Sequence, residues 1–293
     1  MPYPVRFCEQ LPEDLARIPD APRGLYYKGD WEGVLSGAHA QNCLAVVGSR
    51  QMTSYGRRVV EKLVGDCASA GVTIVSGFMY GVDAAAHEAA VLRGGKTIAV
   101  MPCGIERIHP AYQEKLYDAI LQSGGLVVSE YEGDEQPQNW MYPRRNRIVA
   151  GLSQATLVVE AALKSGSLIT AKLASLYERT LFAVPGPITS SVSLGTAELI
   201  KNGAVPVTCA DDILSHYKGA KPLPIFRGGK TPQGGAPHDT LEKSIMEHLR
   251  REPHDIDMLA RALKKPVSVV GTALSLMHLS GIVSQEGNVY YIE

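Results

Sequence analysis

The sequence predicts an α/β fold: an extended Rossmann-like, doubly wound and mostly parallel sheet, followed by a small C-terminal winged-helix domain. Three observations predict it. From about residue 43 to 217, short runs rich in Val and Ile alternate with helix-patterned stretches, as expected for strands covered on both faces. Residues 218–239, KGAKPLPIFRGGKTPQGGAPHD, lose that periodicity and read as a Pro-, Gly- and Lys-rich linker. Residues 240–293 then change to three helical patterns and a hairpin, the content of a winged helix-turn-helix.

Residues 1–40 are read as an extension that packs on the sheet domain, 41–217. Within that domain the expected strands are CLAVVG (43–48), VTIVSG (72–77), TIAVMPCG (97–104), LVVSEY (126–131), ATLVVEA (155–161) and LFAVPG (181–186). Helices are expected between them, in SYGRRVVEKLVGDCASAG, GVDAAAHEAAVLRGG, AYQEKLYDAILQSGG, PRRNRIVAGLS and SLITAKLASLYERT. Several end in Gly, the residue that most readily adopts the left-handed turn closing a helix. After the linker, LEKSIMEHLRRE, DIDMLARALKK and VSVVGTALSLMHLSG are the helices, and IVSQEGNVYYIE turns at Glu286–Gly287–Asn288.

The chain has 293 residues, of which 45% are apolar and 20% charged, so it can fill one large core and one small one. Its formal net charge of −1 gives no global attraction for nucleic acid, and any such site must be local. Five scattered cysteines form no C-x-x-C pair, which fits a reducing compartment and argues against a disulfide framework or a zinc site. The first residues lack a signal pattern and no apolar run approaches the roughly 18 residues of a membrane span, so a soluble cytoplasmic protein is expected.

In an open parallel sheet, ligands bind beyond the carboxyl ends of the strands. That edge is expected to carry Gly48-Ser49-Arg50, the 76–81 loop, Lys164-Ser165-Gly166-Ser167 and the start of a helix at or near Pro143. The helix start holds Arg144, Arg145 and Arg147, although the helix dipole favours acids there. Between 139 and 172, Arg144, Arg145, Arg147, Lys164 and Lys172 oppose only Glu160, a local +4. The stretch 129–135 is −4. We expect two of the three arginines to contact an anion, with the third braced by an acid such as Glu130 or Glu160.

Gly48-Ser49-Arg50 is not a dinucleotide fingerprint, because Arg50 and Thr53 stand where G-x-G-x-x-G needs glycine. It suits phosphate binding, or a plain tight turn. The small residues of Lys164–Ser167 suit a phosphate-sized helix start, with Ser capping as the compatible alternative. Asp83 and His87 lie four apart on one helical face. They fit an acid/base or metal-ligand pair, but a carboxylate–imidazole hydrogen bond pinning the 77–81 loop is favoured. No cofactor or metal is expected. The C-terminal unit carries six basic and seven acidic residues, and its third helix, 267–280, has no Lys or Arg. A protein-binding or accessory role is therefore expected over duplex reading.

Taken in order, VVGSR…T.YG (46–56), SGFMYGVDAAAH (76–87), GGKTIAVMPCG (94–104), SEY (129–131), YPRRNRIVAGLS (142–153), VVEAALKSGSLITAKLA (158–174), AVPGPI (183–188) and LGTAELIKNGA (194–204) resemble the DprA/Smf family of DNA-processing proteins. The chain departs from that pattern at Phe78-Met79-Tyr80, where a small residue and a cation are usual, and at His109, where Tyr precedes Pro. No nucleophile, base and metal assemble in the sequence, so a protein without catalytic residues is expected. The resemblance implies single-stranded DNA binding without strong sequence preference, loading of the RecA recombinase in natural transformation, and a homodimer through the Rossmann-like domain. The expected DNA-contacting residues are Ser49, Arg50, Phe78, Tyr80, Arg144, Arg145, Asn146, Arg147, Lys164, Ser165, Gly166, Ser167 and Lys172. Arginine and lysine would neutralise phosphates, and Phe78 or Tyr80 would stack on a base. Two alternatives are a nucleotide-processing enzyme akin to lysine-decarboxylase-like phosphoribohydrolases and a nucleotide-sensing regulator. The first is weakened because no Glu follows Pro185-Gly186-Pro187 at the required spacing.

Overall fold

A computed structural model describes residues 3–35, 42–217 and 240–292, so the linker 218–239 lies outside the described residues. The chain divides into two compact units, Met1–Pro224 and Ile225–Glu293.

In the first unit the elements run β1 (Arg6–Cys8), α1 (Glu13–Ala16), β2 (Leu25–Gly29), α2 (Trp31–Leu35), β3 (Cys43–Val47) and α3 (Ser54–Val59). A π-helical turn, Val60–Val64, joins α3 to α4 (Gly65–Ser69). Then come β4 (Thr73–Ser76), α5 (Val82–Leu92), β5 (Thr97–Val100), α6 (Glu114–Gln122), β6 (Leu126–Ser129) and α7 (Met141–Gly151). The unit ends with β7 (Ala155–Val158), α8 (Ser167–Leu176), β8 (Thr180–Ala183), α9 (Leu194–Lys201), β9 (Val205–Pro206) and α10 (Ala210–Leu214).

The strands form one nine-stranded sheet in the order β1-β2-β6-β5-β4-β3-β7-β8-β9. Strands β3 to β9 pair in parallel, whereas β2 pairs antiparallel with both β1 and β6. Every residue of β3, β4, β5, β6 and β7 is buried, which is why these strands read as unbroken apolar runs. One face is covered by α3 to α5 and α10, around Leu44, Val46, Val60, Leu63, Ile74 and Ala86. The other is covered by α1, α2, α7 and α8, around Leu15, Trp31, Val47, Val75, Ile148 and Val149. The segment before β3 therefore does more than pack on the sheet, because it supplies two of its strands.

Chain order explains where a ligand can enter. From β3 the chain winds through β4, β5 and β6 on one side, and α7 then carries it back across to β7 on the other. The sheet reverses direction at β3 and β7, where the diverging loops leave a crevice at the carboxyl edge.

The second unit holds α11 (Thr240–Leu249), α12 (Ile256–Leu263) and α13 (Val267–Leu279) with a small sheet of β10 (His254–Asp255), β11 (Ser284–Glu286) and β12 (Val289–Tyr291), ordered β10-β12-β11. Its core gathers Ile245, Leu249, Leu259, Val270, Leu274, Met277, Val283 and Tyr290. Asp255 caps α12 by accepting from Met258 N at 2.7 Å, and Gly287 makes the hairpin turn at φ 61°. The outer face of α13 exposes Val267, Val269 and Leu276. Among the described residues, no helix is long and apolar enough to cross a membrane.

Candidate nucleic-acid interface

The loop after β3 crosses the start of α5 at close range. A Cβ at Gly48 would lie 2.6 Å from Val82 Cγ2, and one at Gly81, whose φ is +79°, would lie 2.3 Å from Ser49 O. Glycine at both positions lets the 48–51 and 77–81 loops interlock, and Val82 N donates to Ser49 O at 3.2 Å. Arg50 emerges there, exposed, its guanidinium carbon 5.7 Å from the Tyr80 ring centre and 5.5 Å from that of Tyr142.

The 77–81 loop divides its aromatic residues between core and solvent. Tyr80 is 43% exposed, whereas Phe78 is fully buried against His87 and Tyr117. Phe78 adopts φ 57° and its ring is turned into the core, so that ring is not available to a base. Asp83 pins the loop by accepting from Met79 N at 3.3 Å. Burial holds the Asp83 carboxyl above the usual carboxylate range, against the opposing pull of Arg145 and of hydrogen bonds from Met79 and Ser76.

The Asp83–His87 hydrogen bond expected from their spacing is not formed. His87 turns instead to β5, its Nδ1 2.7 Å from Thr97 Oγ1. Because that hydroxyl donates to Ile74 O at 2.8 Å, the imidazole Nδ1–H must be the donor to it, which leaves Nε2 buried and unpartnered. Burial, with Arg145 nearby, pushes the His87 pKa down to about 3. Among the described residues, no group of three or more His, Cys, Asp or Glu is placed to hold a metal ion.

Helix α7 starts at Met141, two residues before Pro143, and its three arginines separate. Arg145 enters the sheet edge, where its Nη1 donates to the carbonyls of Gly77 and Val100 at the ends of β4 and β5. A Cβ at Gly77 would lie 2.5 Å from this guanidinium, so only glycine leaves it room. Burial lowers the Arg145 pKa to about 10, with Asp83 opposing the shift, and the group remains charged at neutral pH.

Arg144 and Arg147 share the other side of the helix, as their spacing predicts, but what they meet there is an acid. Arg147 Nη2 donates to both oxygens of Glu130 at 2.6 and 2.7 Å, and Arg144 reaches the same carboxylate at 3.2 and 3.3 Å. Asp20 lies 3.5 Å from Arg147 Nε. These two arginines line a smaller hollow of about 360 Å³ with Asp20 and Ala21. Glu160 braces none of the three. It is buried, and accepts from the backbone N–H of Thr53 at 2.9 Å and from the Thr53 hydroxyl, which also caps α3.

The loop before α8 brings Lys164, Ser165, Gly166 and Ser167 to the crevice. Ser165 organises the helix start: its Oγ lies 2.7 Å from Ser167 Oγ and accepts from Ser167 N at 3.3 Å, while its carbonyl accepts from Leu168 N at 3.1 Å. Those N–H groups are thus turned inward, and Lys164 and the serine hydroxyls are what the loop offers a ligand. A Cβ on Gly166 would meet nothing within 4 Å, so the approach is open. Lys172 sits farther along α8, exposed and outside the cavity lining.

Together these loops enclose a cavity of about 750 Å³ at the sheet reversal. Of the residues expected from sequence, it gathers Ser49, Arg50, Tyr80, Arg145, Asn146, Lys164, Ser165, Gly166 and Ser167. It leaves out Phe78, Arg144, Arg147 and Lys172. It adds Asp83, Asn139 and Tyr142, and Tyr142 is held in turn by His109, whose Nε2 lies 2.8 Å from the phenol oxygen. Three cations against one carboxylate give the cavity a net positive lining suited to an anion, and the exposed Tyr80 ring offers a flat apolar face beside it.

Two family models match the chain: DNA recombination-mediator protein A over residues 5–218 and the DprA winged helix domain over 229–288. Protein Smf of Escherichia coli is 37% identical over 282 residues, covering 94% of this chain and 73% of its own. DNA processing protein DprA of Streptococcus pneumoniae is 42% identical over 207 residues, 71% of each chain. The crystal structure of the latter superposes with a TM-score of 0.67 at 40% identity, covering 74% of this chain and 75% of that one. A Helicobacter pylori DNA processing protein A, described for its single-stranded DNA binding mode, gives the same TM-score at 32% identity, covering 74% of this chain and 98% of that one. With both units matched and the relatives aligned over most of its length, the chain belongs to the DprA/Smf family of DNA-processing proteins.

Proposed function

We propose that the cavity takes a segment of single-stranded DNA without strong sequence preference, and that the protein delivers such strands to the RecA recombinase in natural transformation and recombination. The observation that carries this reading is the pairing of exposed cations, Arg50 and Lys164, with an exposed ring, Tyr80, around one open cavity. Charge contacts to phosphate and stacking on a ring face are available to every nucleotide alike, so they bind strands without reading them. The Helicobacter pylori relative named for single-strand binding supports the same ligand, and the description of the family as recombination mediators supports a hand-off to RecA. The protein acts in the cytoplasm as a homodimer paired through the sheet unit. It binds rather than catalyses: His87, on the helix that carries Asp83, is sealed in the core and already donates to Thr97. The cation-free outer face of α13 supports a protein-contacting role for the winged helix.

Fluorescence anisotropy with labelled single-stranded and duplex oligonucleotides tests the reading. Single strands bind more tightly, and two or three phosphate contacts give a log–log salt slope of about −1.4 to −2.1. Arg50→Glu and Lys164→Glu weaken binding, whereas Arg144→Glu, whose side chain lies outside the cavity, changes it little. Equal affinity for duplex, or full affinity in both charge reversals, would sink the assignment.

A further inference from the structure

Two of the positions at which this chain departs from its family pattern, Tyr80 and His109, converge on one side chain. Arg50 has a tyrosine ring at 5.7 Å and another at 5.5 Å, and among the described residues no carboxylate pairs with it. Ring faces therefore set where its guanidinium points. The nearer ring, Tyr142, is tethered at its hydroxyl: His109 Nε2 lies 2.8 Å away, with the two rings edge to face at 6.1 Å.

We propose that His109, acting through the Tyr142 hydroxyl, positions Arg50 for the DNA backbone and couples single-strand binding to the uptake of a proton. This rests on the reading of the cavity as the single-strand site. The charges that act on His109 are all guanidinium groups: Arg107 of its own loop, Arg50 beyond β3 and Arg145 of α7. Burial first, and these cations after it, hold the free imidazole below its usual range. A phosphate placed beside Arg50 offsets part of that cationic field and so eases protonation, while the effect of burial remains. The imidazolium then donates Nε2–H to the Tyr142 oxygen. Tyr142 stays tethered in either protonation state, its ring stays against Arg50, and the occupied site gains a positive charge.

The sign follows from linkage. The imidazole holds its proton more strongly in the complex than in the free protein, so affinity rises as pH falls from the bound pKa towards the free one. Each pH unit separating the two corresponds to about tenfold in affinity. Asp83 on α5 titrates in the same cavity, which makes the difference between parent and a His109 variant the informative quantity.

Affinity for a labelled oligothymidylate is measured between about pH 5.5 and 8 at constant ionic strength, the range in which histidine changes charge. The parent gains about threefold to tenfold as pH falls. His109→Gln keeps a hydrogen-bonding group for the phenol but cannot titrate, so it matches the parent near pH 8 and loses most of that gain. His109→Phe removes the tether and binds more weakly throughout. The proposal is overturned if His109→Gln keeps the parental rise, or if His109→Phe binds as the parent does at every pH. Arg50→Ala separates the two levels: parental affinity in that variant would remove the cavity as the single-strand site, and this proposal with it.

Discussion

Replacing Glu130 by Gln is the sharpest test of how the α7 arginines are held. Glu130 is the shared acceptor of Arg147, at 2.6 and 2.7 Å, and Arg144, at 3.2 and 3.3 Å. The environments differ: the Arg147 side chain is 5% exposed and that of Arg144 52%, with Glu130 itself at 15%. Breaking a buried charge pair costs about 3–5 kcal/mol, because the surviving charge is left desolvated and unpaired. Gln keeps one carbonyl oxygen for Arg147 and Asp20 stays 3.5 Å from its Nε, which brings the expected loss to about 2–4 kcal/mol, or about 4–16 °C in Tm for a unit of this size. The exposed Arg144 contact is worth no more than about 1 kcal/mol. Both tryptophans, Trp31 and Trp140, lie in the sheet unit, so urea unfolding followed by their fluorescence reports that unit. A double-mutant cycle of Glu130→Gln with Arg147→Met should give a coupling of about 2 kcal/mol or more, against about 0.5 kcal/mol with Arg144→Ala. Equal couplings, or a loss below about 0.5 kcal/mol for Glu130→Gln, would refute the argument that Arg147 is the structural partner.

Phe78→Ala should cost about 3–5 kcal/mol of stability in the same unfolding assay, as for a fully buried aromatic residue; an affinity loss at unchanged stability would contradict its place in the core. Gly56→Ala would set a Cβ 2.5 Å from Glu160 Oε2 and disturb the acceptor of Thr53, for an expected loss of about 1–3 kcal/mol, read as a lowered urea midpoint. His87 makes the sheet unit acid-sensitive. With a folded pKa of about 3 against an ordinary 6.5, its neutral form is favoured in the folded state, and that contribution is complete above pH 6.5 and declines as pH falls towards 3. Near pH 4.5 the loss reaches about 3 kcal/mol, and His87→Gln should remove most of it; an unchanged pH–stability profile in that variant would exclude His87 as the cause.

The fold was legible because the central strands are buried on both faces and carry that fact as unbroken Val and Ile runs. β1 and β2 were not legible as strands, since RFC and LYYKG are short, half-exposed and mixed in polarity. At the site, loop chemistry showed more than helix chemistry did. Gly48-Ser49-Arg50 reaches the cavity because glycine permits a close loop crossing there, and Lys164–Ser167 because it opens the helix after β7 at the same sheet edge. The separation of Arg144 and Arg147 from Arg145 follows helical geometry, and Glu130 was one of the two acids expected as a brace; that it takes two arginines, and that Arg145 meets Gly77 and Val100, was not legible because these groups come from three different strand ends. Nor did the i, i+4 spacing of Asp83 and His87 reveal that Thr97 lies closer to the imidazole than the carboxylate does. Tyr142 and His109, 33 residues apart, carry no local signal that they meet.

The local +4 of residues 139–172 is therefore not the charge a ligand meets. Glu130 takes up Arg144 and Arg147, two strand-end carbonyls hold Arg145, and Lys172 lies outside the cavity lining. Lys164 remains, joined by Arg50 from outside that stretch. Arg145 still adds its field to the cavity floor, partly cancelled by Asp83, but its Nη1 is committed to Gly77 and Val100. Binding energy should therefore divide between direct contacts from Arg50 and Lys164 and a fixed background field from Arg145. Arg145→Lys, which keeps the charge but cannot donate in the same fork, should destabilise the sheet edge more than it weakens strand binding by the folded protein. If affinity falls in Arg145→Lys as far as in Arg50→Ala while the urea midpoint is unchanged, the buried guanidinium is itself a DNA contact and the division proposed between anchoring and binding arginines fails.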